Sequence, residues 1–132
     1  MNKLPEIDGE LSLRTLAMPG DTNPNGDIFG GWLMSQMDIA GGIITKSIAG
    51  GRTVTVGINS MTFHRPVLVG DTLCCYVKLL KTGNTSLTVK IESWAKRQFD
   101  DKARVLVTEG EFTYVAVTKD RVPRKVSDPY QG

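Results

Sequence analysis

The sequence has few of the side chains on which metal sites and nucleophilic triads are built. His64 is its only histidine, so a histidine metal cluster or a pair of catalytic histidines is excluded. The two cysteines, Cys74 and Cys75, are adjacent, and neighbours on a strand point to opposite faces, so neither a disulfide between them nor a metal site is expected. Ser35 and Ser60 lack the flanking residues of a nucleophile elbow. We therefore expect no metal ion, and carboxylates remain to carry chemistry.

Long apolar runs and basic clusters are also missing. Residues 1–10 contain no apolar run, so no signal peptide is expected, and no stretch is apolar for the length that a membrane span needs. We therefore expect a cytoplasmic protein without a membrane partner. Basic runs interleaved with aromatic residues are absent, which argues against nucleic-acid binding. A chain of 132 residues, 40% hydrophobic and 23% charged, predicts a single globular domain over residues 1–132.

Charge is distributed unevenly along the chain. Residues 1–45 carry two basic and six acidic side chains, a balance of −4, whereas residues 46–132 carry 14 basic and eight acidic side chains, a balance of +6. A basic second half could meet a phosphorylated small molecule. A merely solvated surface explains the same charge equally well, so both interpretations stay open.

The hydrophobic pattern predicts one long helix after a short strand at residues 11–18 and a loop rich in turn-forming residues. Apolar residues recur at three- and four-residue steps, which predicts a helix that begins near Gly30 and ends before Gly50. Further apolar residues off the main stripe indicate that this helix is buried on most sides. Gly41 and Gly42 weaken its middle, and close packing against another backbone would explain them.

After the helix the hydrophobic period changes to two. Alternating apolar residues predict strands at 53–58, 73–80, 87–92 and 104–118. Short turns join the last strands, which should form an antiparallel meander. We predict an α+β fold in which an antiparallel sheet of about five strands wraps one long buried helix. The polar tail after the last strand is expected to fray.

Asp38 most needs an explanation. It lies in the middle of this apolar helix, between Met37 and Ile39, where a carboxylate is costly unless it is paired or functional. The functional interpretation makes it a general base or a nucleophile. The alternative places it on the one exposed strip of the helix, beside Ser35 and Thr45, without a chemical role.

The start of the helix is a candidate site for a developing negative charge. Residues 23–26 lead into Phe29, Gly30 and Gly31, where free N–H groups, unhindered by side chains at the two glycines, can polarise a carbonyl oxygen. A plain helix entry that needs glycine for turning explains the same pair.

The string from Asp21 to Trp32, followed by Met37 and Asp38, resembles the YciA-like acyl-CoA thioesterases of the hotdog superfamily. The similarity extends from about residue 11 to residue 118. The resemblance implies a hotdog fold and subunit pairs that join edge strands into one continuous sheet, assembled into a hexamer as a trimer of dimers. It implies hydrolysis of acyl-CoA to free acid and CoA without a cofactor, because CoA is part of the substrate.

The resemblance also implies roles for individual residues. Asp38 matches the helix carboxylate of the family, and Asn23 matches the loop asparagine that binds the thioester or holds the water. The backbone N–H of Gly31, or of Gly30, would polarise the thioester carbonyl. Further expected substrate contacts are Thr85 and Ser86, which match a turn near the CoA in similar enzymes, Arg65, which its charge suggests as a phosphate contact, and Ser60.

Two other functions stay open. A hotdog hydratase normally uses a histidine with its carboxylate, and His64 is badly placed for that. A catalytically silent acyl-CoA-binding or regulatory module would need neither Asn23 nor Asp38. The resemblance, together with the loop and the roughly two turns of helix that separate Asn23 from Asp38, leads us to predict that one active site takes these two residues from different subunits. The sequence leaves the acyl-chain preference open, and also whether Asp38 acts as base or nucleophile.

Overall fold

A computed structural model describes residues 6–131, with residues 101 and 102 described by their backbone only. One long helix and five strands confirm the predicted α+β class. No helix in this described part is long and apolar enough to cross a membrane. In chain order the elements are β1 (Glu10–Leu16), a 3-10 turn (Pro19–Asp21), α1 (Gly30–Ala49), β2 (Thr53–Phe63), β3 (Thr72–Thr82), β4 (Ser86–Arg97) and β5 (Asp100–Ala116).

The five strands form one antiparallel sheet in the order β1-β3-β4-β5-β2. Strands β3, β4 and β5 form the predicted meander. Strand β2 does not join it through β3 but pairs with β5, from Thr53 opposite Ala116 to Phe63 opposite Thr108. The loop of residues 64–71 therefore crosses from the edge strand β2 to β3, which lies next to the opposite edge strand, β1. Within the described chain, β2 is an edge strand with one side unpaired.

Helix α1 lies across one face of the sheet, with the bounds that the sequence predicted. It ends at Gly50, whose φ of 65° is left-handed, a conformation that glycine adopts without strain. The expectation that α1 is buried on most sides is wrong for a single chain. Ile39, Ile43 and Ile48 are 50%, 47% and 42% exposed, because the sheet covers only one side of the helix. The buried positions of α1 are Leu33, Met37, Ala40, Gly41, Thr45 and Ala49.

Gly41 lies where the helix approaches the sheet most closely. A Cβ at this position would overlap the Tyr114 hydroxyl and lie 2.8 Å from Ile91 Cδ1. The expected approach of another backbone is therefore wrong for Gly41, whose close neighbours are side chains. At Gly42 the nearest atom to such a Cβ is in the Tyr114 ring, 4.0 Å away.

Cys74 and Cys75 point to opposite faces of β3, as expected. Cys75 lies in the core beneath α1, whereas Cys74 packs with Tyr76, Trp94 and Leu106 in a second apolar cluster on the outer face. Both thiols are free, and burial raises the pKa of Cys75 to about 11.

The tail that follows β5 is docked, and the expectation that it frays is wrong. Arg124 is only 8% exposed. Its guanidinium donates to the carbonyl oxygens of Ala49 at 2.7 Å, Val117 at 3.2 Å and Asp128 at 2.7 Å. It also lies 5.3 Å from the centroid of the Tyr130 ring. One buried arginine thus ties the tail to the end of α1.

Candidate active site

Asp38 is half-buried on the side of α1 that faces β2 and β5. Its Oδ1 accepts a hydrogen bond of 2.5 Å from the Thr55 hydroxyl and one of 3.0 Å from the Tyr114 hydroxyl. The alternative of an exposed strip shared with Thr45 is wrong, because Thr45 is fully buried and its hydroxyl lies 2.9 Å from that of Thr53. Asp38 is therefore a carboxylate held by two strands.

The two donors leave one carboxylate oxygen open. No group in the described part of the chain forms a hydrogen bond with Oδ2 of Asp38. Thr55 holds Oδ1 from β2 and Tyr114 holds it from β5, while the helix fixes the backbone. Oδ2, which accepts no hydrogen bond from the described residues, can take a proton from water or attack a carbonyl carbon.

The side chain of Asn23 organises the loop before the helix. Its Oδ1 accepts hydrogen bonds from the N–H groups of Asn25 at 2.9 Å and Asp27 at 3.2 Å. The backbone N–H of Asn23 donates to the Asp27 carbonyl at 2.7 Å. Its side-chain NH₂ group has no acceptor among the described residues. Asn23 therefore offers a ligand a donor rather than an acceptor.

The helix N-terminus supplies two further donors. The N–H groups of Trp32 and Leu33 donate to the Phe29 carbonyl, at 3.1 and 3.4 Å. Those of Gly30 and Gly31 have no acceptor within residues 6–131, as the geometry of helix ends requires. Both glycines are exposed, so a ligand can reach these N–H groups. Their role toward an oxyanion stays a prediction.

Asn23 and Asp38 do not meet within one chain. Asn23, Gly30 and Arg65 line one cleft of about 340 Å³, and Asp38 does not contribute to it. The guanidinium of Arg65 donates to the Leu106 carbonyl at 3.2 Å. Arg65 also lines a second cleft, of about 350 Å³. It therefore joins the cleft at the helix N-terminus to the outer face of the sheet.

A third cleft begins one residue beyond Asp38. Its volume is about 660 Å³, and it follows α1 along Ile39 and Ile43 toward the helix C-terminus. Lys46 and Arg52 supply its cationic groups, and Tyr130 of the docked tail forms one wall. The cleft combines an apolar floor with charge at one end.

The other residues that the sequence predicted as substrate contacts, Ser60, Thr85 and Ser86, lie away from Asp38 within one subunit. Ser60 pairs with Glu111, on the sheet face opposite α1, because side chains alternate along β5 from the buried Phe112. Thr85 and Ser86 lie at the β3–β4 turn, where the Thr85 carbonyl accepts a hydrogen bond from Ala116 at 2.8 Å. This turn is beside the C-terminal end of α1, not its N-terminus. Substrate contacts at these positions stay predictions.

His64 is exposed, and its Nε2 lies 3.9 Å from a carboxylate oxygen of Glu109. It lines the cleft that holds Asn23 rather than the surroundings of Asp38. Among the described residues, no three His, Cys, Asp or Glu side chains lie together as a metal site would require.

Sequence patterns did not identify Thr55 or Tyr114 as partners of Asp38. Thr55 looks like any polar residue of an alternating strand, and Tyr114 is 76 residues away from Asp38 in the chain. The only local sign was Gly41, one turn after Asp38 in a helix that glycine weakens. That glycine indicated a close neighbour without identifying it.

A five-stranded antiparallel sheet that covers one long helix is the architecture of the hotdog fold. The hexameric hotdog fold thioesterase Cj0915 of Campylobacter jejuni has this fold, with a TM-score of 0.85 at 42% identity over 90% of this chain and 91% of its own. The sequence model of the thioesterase superfamily matches residues 25–98. The chain belongs to the thioesterase superfamily, and its predicted hotdog fold is confirmed.

Two other relatives are more similar in sequence. The acyl-CoA thioester hydrolase YciA of Salmonella typhimurium is 57% identical over 126 residues, which cover 94% of this chain and 93% of that protein. The hexameric thioesterase y2039 of Yersinia pestis is 57% identical with a TM-score of 0.87, over 95% of this chain and 99% of its own. The resemblance seen in the loop and helix therefore extends over nearly the whole chain.

Proposed function

We propose that this chain is an acyl-CoA thioesterase, which hydrolyses acyl-CoA to a free acid and CoA. The observation that carries the proposal is the half-buried Asp38, with one oxygen tied by two hydroxyl groups and the other open. The 57% identity to an acyl-CoA thioester hydrolase supports the choice of substrate. The mechanism uses no metal and no cofactor beyond the CoA of the substrate. The cytoplasmic location expected from the sequence stays a prediction.

In the proposed mechanism, Oδ2 of Asp38 takes a proton from a water molecule as that water attacks the thioester carbonyl. Alternatively, Oδ2 attacks the carbonyl carbon itself, and water then cleaves the resulting anhydride. In both cases the carbonyl oxygen gains negative charge before the C–S bond breaks and the CoA thiolate leaves. The free N–H of Gly31, or of Gly30, binds that oxygen, a contribution of about 10²–10³ in rate for one such donor. The Asn23 amide binds the thioester or orients the water.

We further propose that two subunits build each site. From Gly31 to Asp38 the helix rises through seven residues, ~10.5 Å at ~1.5 Å per residue. In the reaction, the N–H binds the carbonyl oxygen and the carboxylate binds the water that attacks the carbonyl carbon. The distance from the N–H to the carboxylate is therefore only about two hydrogen-bond lengths, ~6 Å, plus the length of the carbonyl bond. Within one helix, the N–H of Gly31 and the carboxylate of Asp38 are therefore too far apart to act on the same thioester. Antiparallel helices in a two-fold dimer bring the donor of one chain to the base of the other.

The surface that such a dimer would cover is present. Ile39 and Ile43, which are about half exposed in the single chain, line one cleft together with Thr53 of the edge strand β2. Exposed apolar faces next to an open strand edge are typical of subunit interfaces. The relatives from Yersinia pestis and Campylobacter jejuni are hexameric. We propose the same assembly here, as a trimer of dimers.

The clefts suggest how the two ends of the substrate bind. The acyl chain would run between the two subunits along α1, over Ile39 and Ile43, in the apolar cleft that begins beside Asp38. The phosphates of CoA would bind basic side chains, for which Arg65 and Arg104 are candidates because both line the outer-face cleft. Arg65 reaches that cleft from the one that holds Asn23.

The proposed function is tested by Asp38→Asn, which keeps the shape of the side chain and removes the base. Release of free thiol from a panel of acyl-CoA substrates should show kcat lowered by about 10²–10⁴, with little change in CoA affinity. EDTA should leave the wild-type rate unchanged. The matched control is Asp120→Asn, on an exposed turn after β5, which should keep full activity.

Each alternative gives a different result in the same experiment. Near-full kcat in Asp38→Asn would contradict the assignment of the base. Hydration of an enoyl-CoA without thiol release by the wild type would favour a hydratase. Binding of acyl-CoA without any turnover would favour the silent binding module.

A further inference from the structure

We propose that Tyr114 is a positioning residue, which fixes the carboxylate of Asp38 through its hydroxyl group, and that the missing side chain at Gly41 is what admits this hydroxyl. The proposal rests on the proposed function, because Tyr114 acts only through Asp38. It gives a functional reason for a glycine in the middle of the helix.

The geometry of one hydroxyl group carries the proposal. Tyr114 Oη lies 2.8 Å from the backbone carbonyl oxygen of Asp38 and 3.0 Å from its Oδ1. The single hydroxyl hydrogen is therefore shared between two acceptors of one residue. Both acceptors are within reach only when the carboxylate is turned toward its own carbonyl, so the hydroxyl selects one side-chain conformation. Thr55 holds the same Oδ1 from the edge strand, and Oδ2 is left open.

Tyr114 is placed to hold Asp38 rather than to touch the substrate. Its side chain is 1% exposed and lies in the core beneath α1 with Met37 and Phe112. Burial, reinforced by the charge of Asp38, raises the pKa of Tyr114 well above its ordinary value. The hydroxyl therefore stays protonated at any working pH and remains a donor.

Gly41 provides the space that Tyr114 occupies. It follows Asp38 by three residues, so the two share one side of the helix. A Cβ at residue 41 would overlap Tyr114 Oη, lie 2.7 Å from its Cζ and 2.8 Å from Ile91 Cδ1. An atom must shift to admit such a Cβ, and the atom nearest to it is the Tyr114 hydroxyl oxygen. A side chain at this position would therefore push the Tyr114 hydroxyl away from the carboxylate.

Tyr114→Phe tests the proposal, because it removes the hydroxyl and keeps the ring that fills the core. The matched control is Tyr76→Phe, another buried tyrosine, whose hydroxyl accepts a hydrogen bond of 2.8 Å from Arg104 on the outer face. We expect Tyr114→Phe to lower kcat by about ten- to a hundredfold, the size typical of a misplaced reacting group, with KM unchanged. Tyr76→Phe should leave kcat unchanged, even where its melting temperature falls as far.

A double variant separates positioning from other roles. In the Asp38→Asn background, Tyr114→Phe should cause no further loss of kcat, because residues that act as a unit are not additive. Gly41→Ala should lower kcat in the same manner as Tyr114→Phe.

The results that would contradict the role of Tyr114 differ from those that would contradict the proposed function. If Tyr114→Phe lowers kcat in the Asp38→Asn background as much as it does in the wild type, the proposal is wrong. It is also wrong if Tyr114→Phe alone raises KM and leaves kcat unchanged. If Asp38→Asn inactivates the enzyme while Tyr114→Phe keeps full kcat, only the positioning role is wrong. If Asp38→Asn itself keeps near-full kcat, the proposed function fails and takes the role of Tyr114 with it.

Discussion

Mixing two inactive variants tests whether each active site takes Asn23 and Asp38 from different subunits. Asn23→Ala removes the free amide donor of the loop, and Asp38→Ala removes the carboxylate. Each pure variant should be nearly inactive, because every site lacks one of the two groups. In a mixed dimer, one site would carry both lesions and the other neither.

The size of the recovery follows from the two-fold geometry. Random exchange of equal amounts makes about half of the dimers mixed, and each of these has one intact site of two. Activity should therefore rise from near zero to about a quarter of that of the wild type at the same concentration. Within a single chain, the cleft that holds Asn23 does not include Asp38. Without shared sites, the mixture has no route to an intact site.

The assay needs a measure of exchange beside the measure of activity. Free thiol release from acyl-CoA gives the activity, and native mass spectrometry with one variant isotopically labelled gives the fraction of mixed dimers. A mixture of labelled and unlabelled Asn23→Ala is the control, which should exchange without recovery. If exchange is complete and activity stays at the level of the separate variants, the shared site is refuted. Both residues would then act within one chain, or one of them would not be catalytic.

Three further predictions concern charge and buried thiols. The +6 balance of residues 46–132 predicts that the Kd of CoA, measured by titration calorimetry, rises with ionic strength, because exposed charge pairs are screened; a Kd that is flat with salt would contradict a basic phosphate site. The buried Cys74 and Cys75 should resist an aromatic disulfide reagent at pH 8 in the folded protein and react after denaturation, and rapid reaction in the native state would contradict the core packing. Because folding raises the pKa of Cys75 from 9.0 to about 11, the unfolded thiol ionises first. Stability in urea should therefore fall as pH rises through that interval.

The helix and the meander could be predicted because both are specified locally. The apolar stripe of α1 has the helical period, and Gly50 ends it in a left-handed conformation. Strands β3, β4 and β5 are joined by short turns, so their pairing follows from the chain itself. The place of β2 could not be predicted in this way. A crossing loop can deliver a strand to either edge of a sheet, and the choice is made by tertiary packing.

Around Asp38, the sequence predicted the carboxylate but not the groups that hold it. Thr55 and Tyr114 are 17 and 76 residues away along the chain, and no periodicity connects them to the helix. The docked tail was missed for a similar reason. Its composition is polar, and only the tertiary fold shows that Arg124 bonds to the carbonyl at the end of α1.

Strand β2 has two roles, and a substitution that changes one of them also affects the other. It presents the unpaired edge at which a second chain is proposed to join, and from the same strand Thr55 reaches Asp38. Proline or added charge would protect an isolated edge from aggregation, but either change would also disturb the strand that holds the carboxylate. An engineer who wants this activity in one polypeptide should therefore fuse two copies through a linker rather than adapt one copy to stand alone.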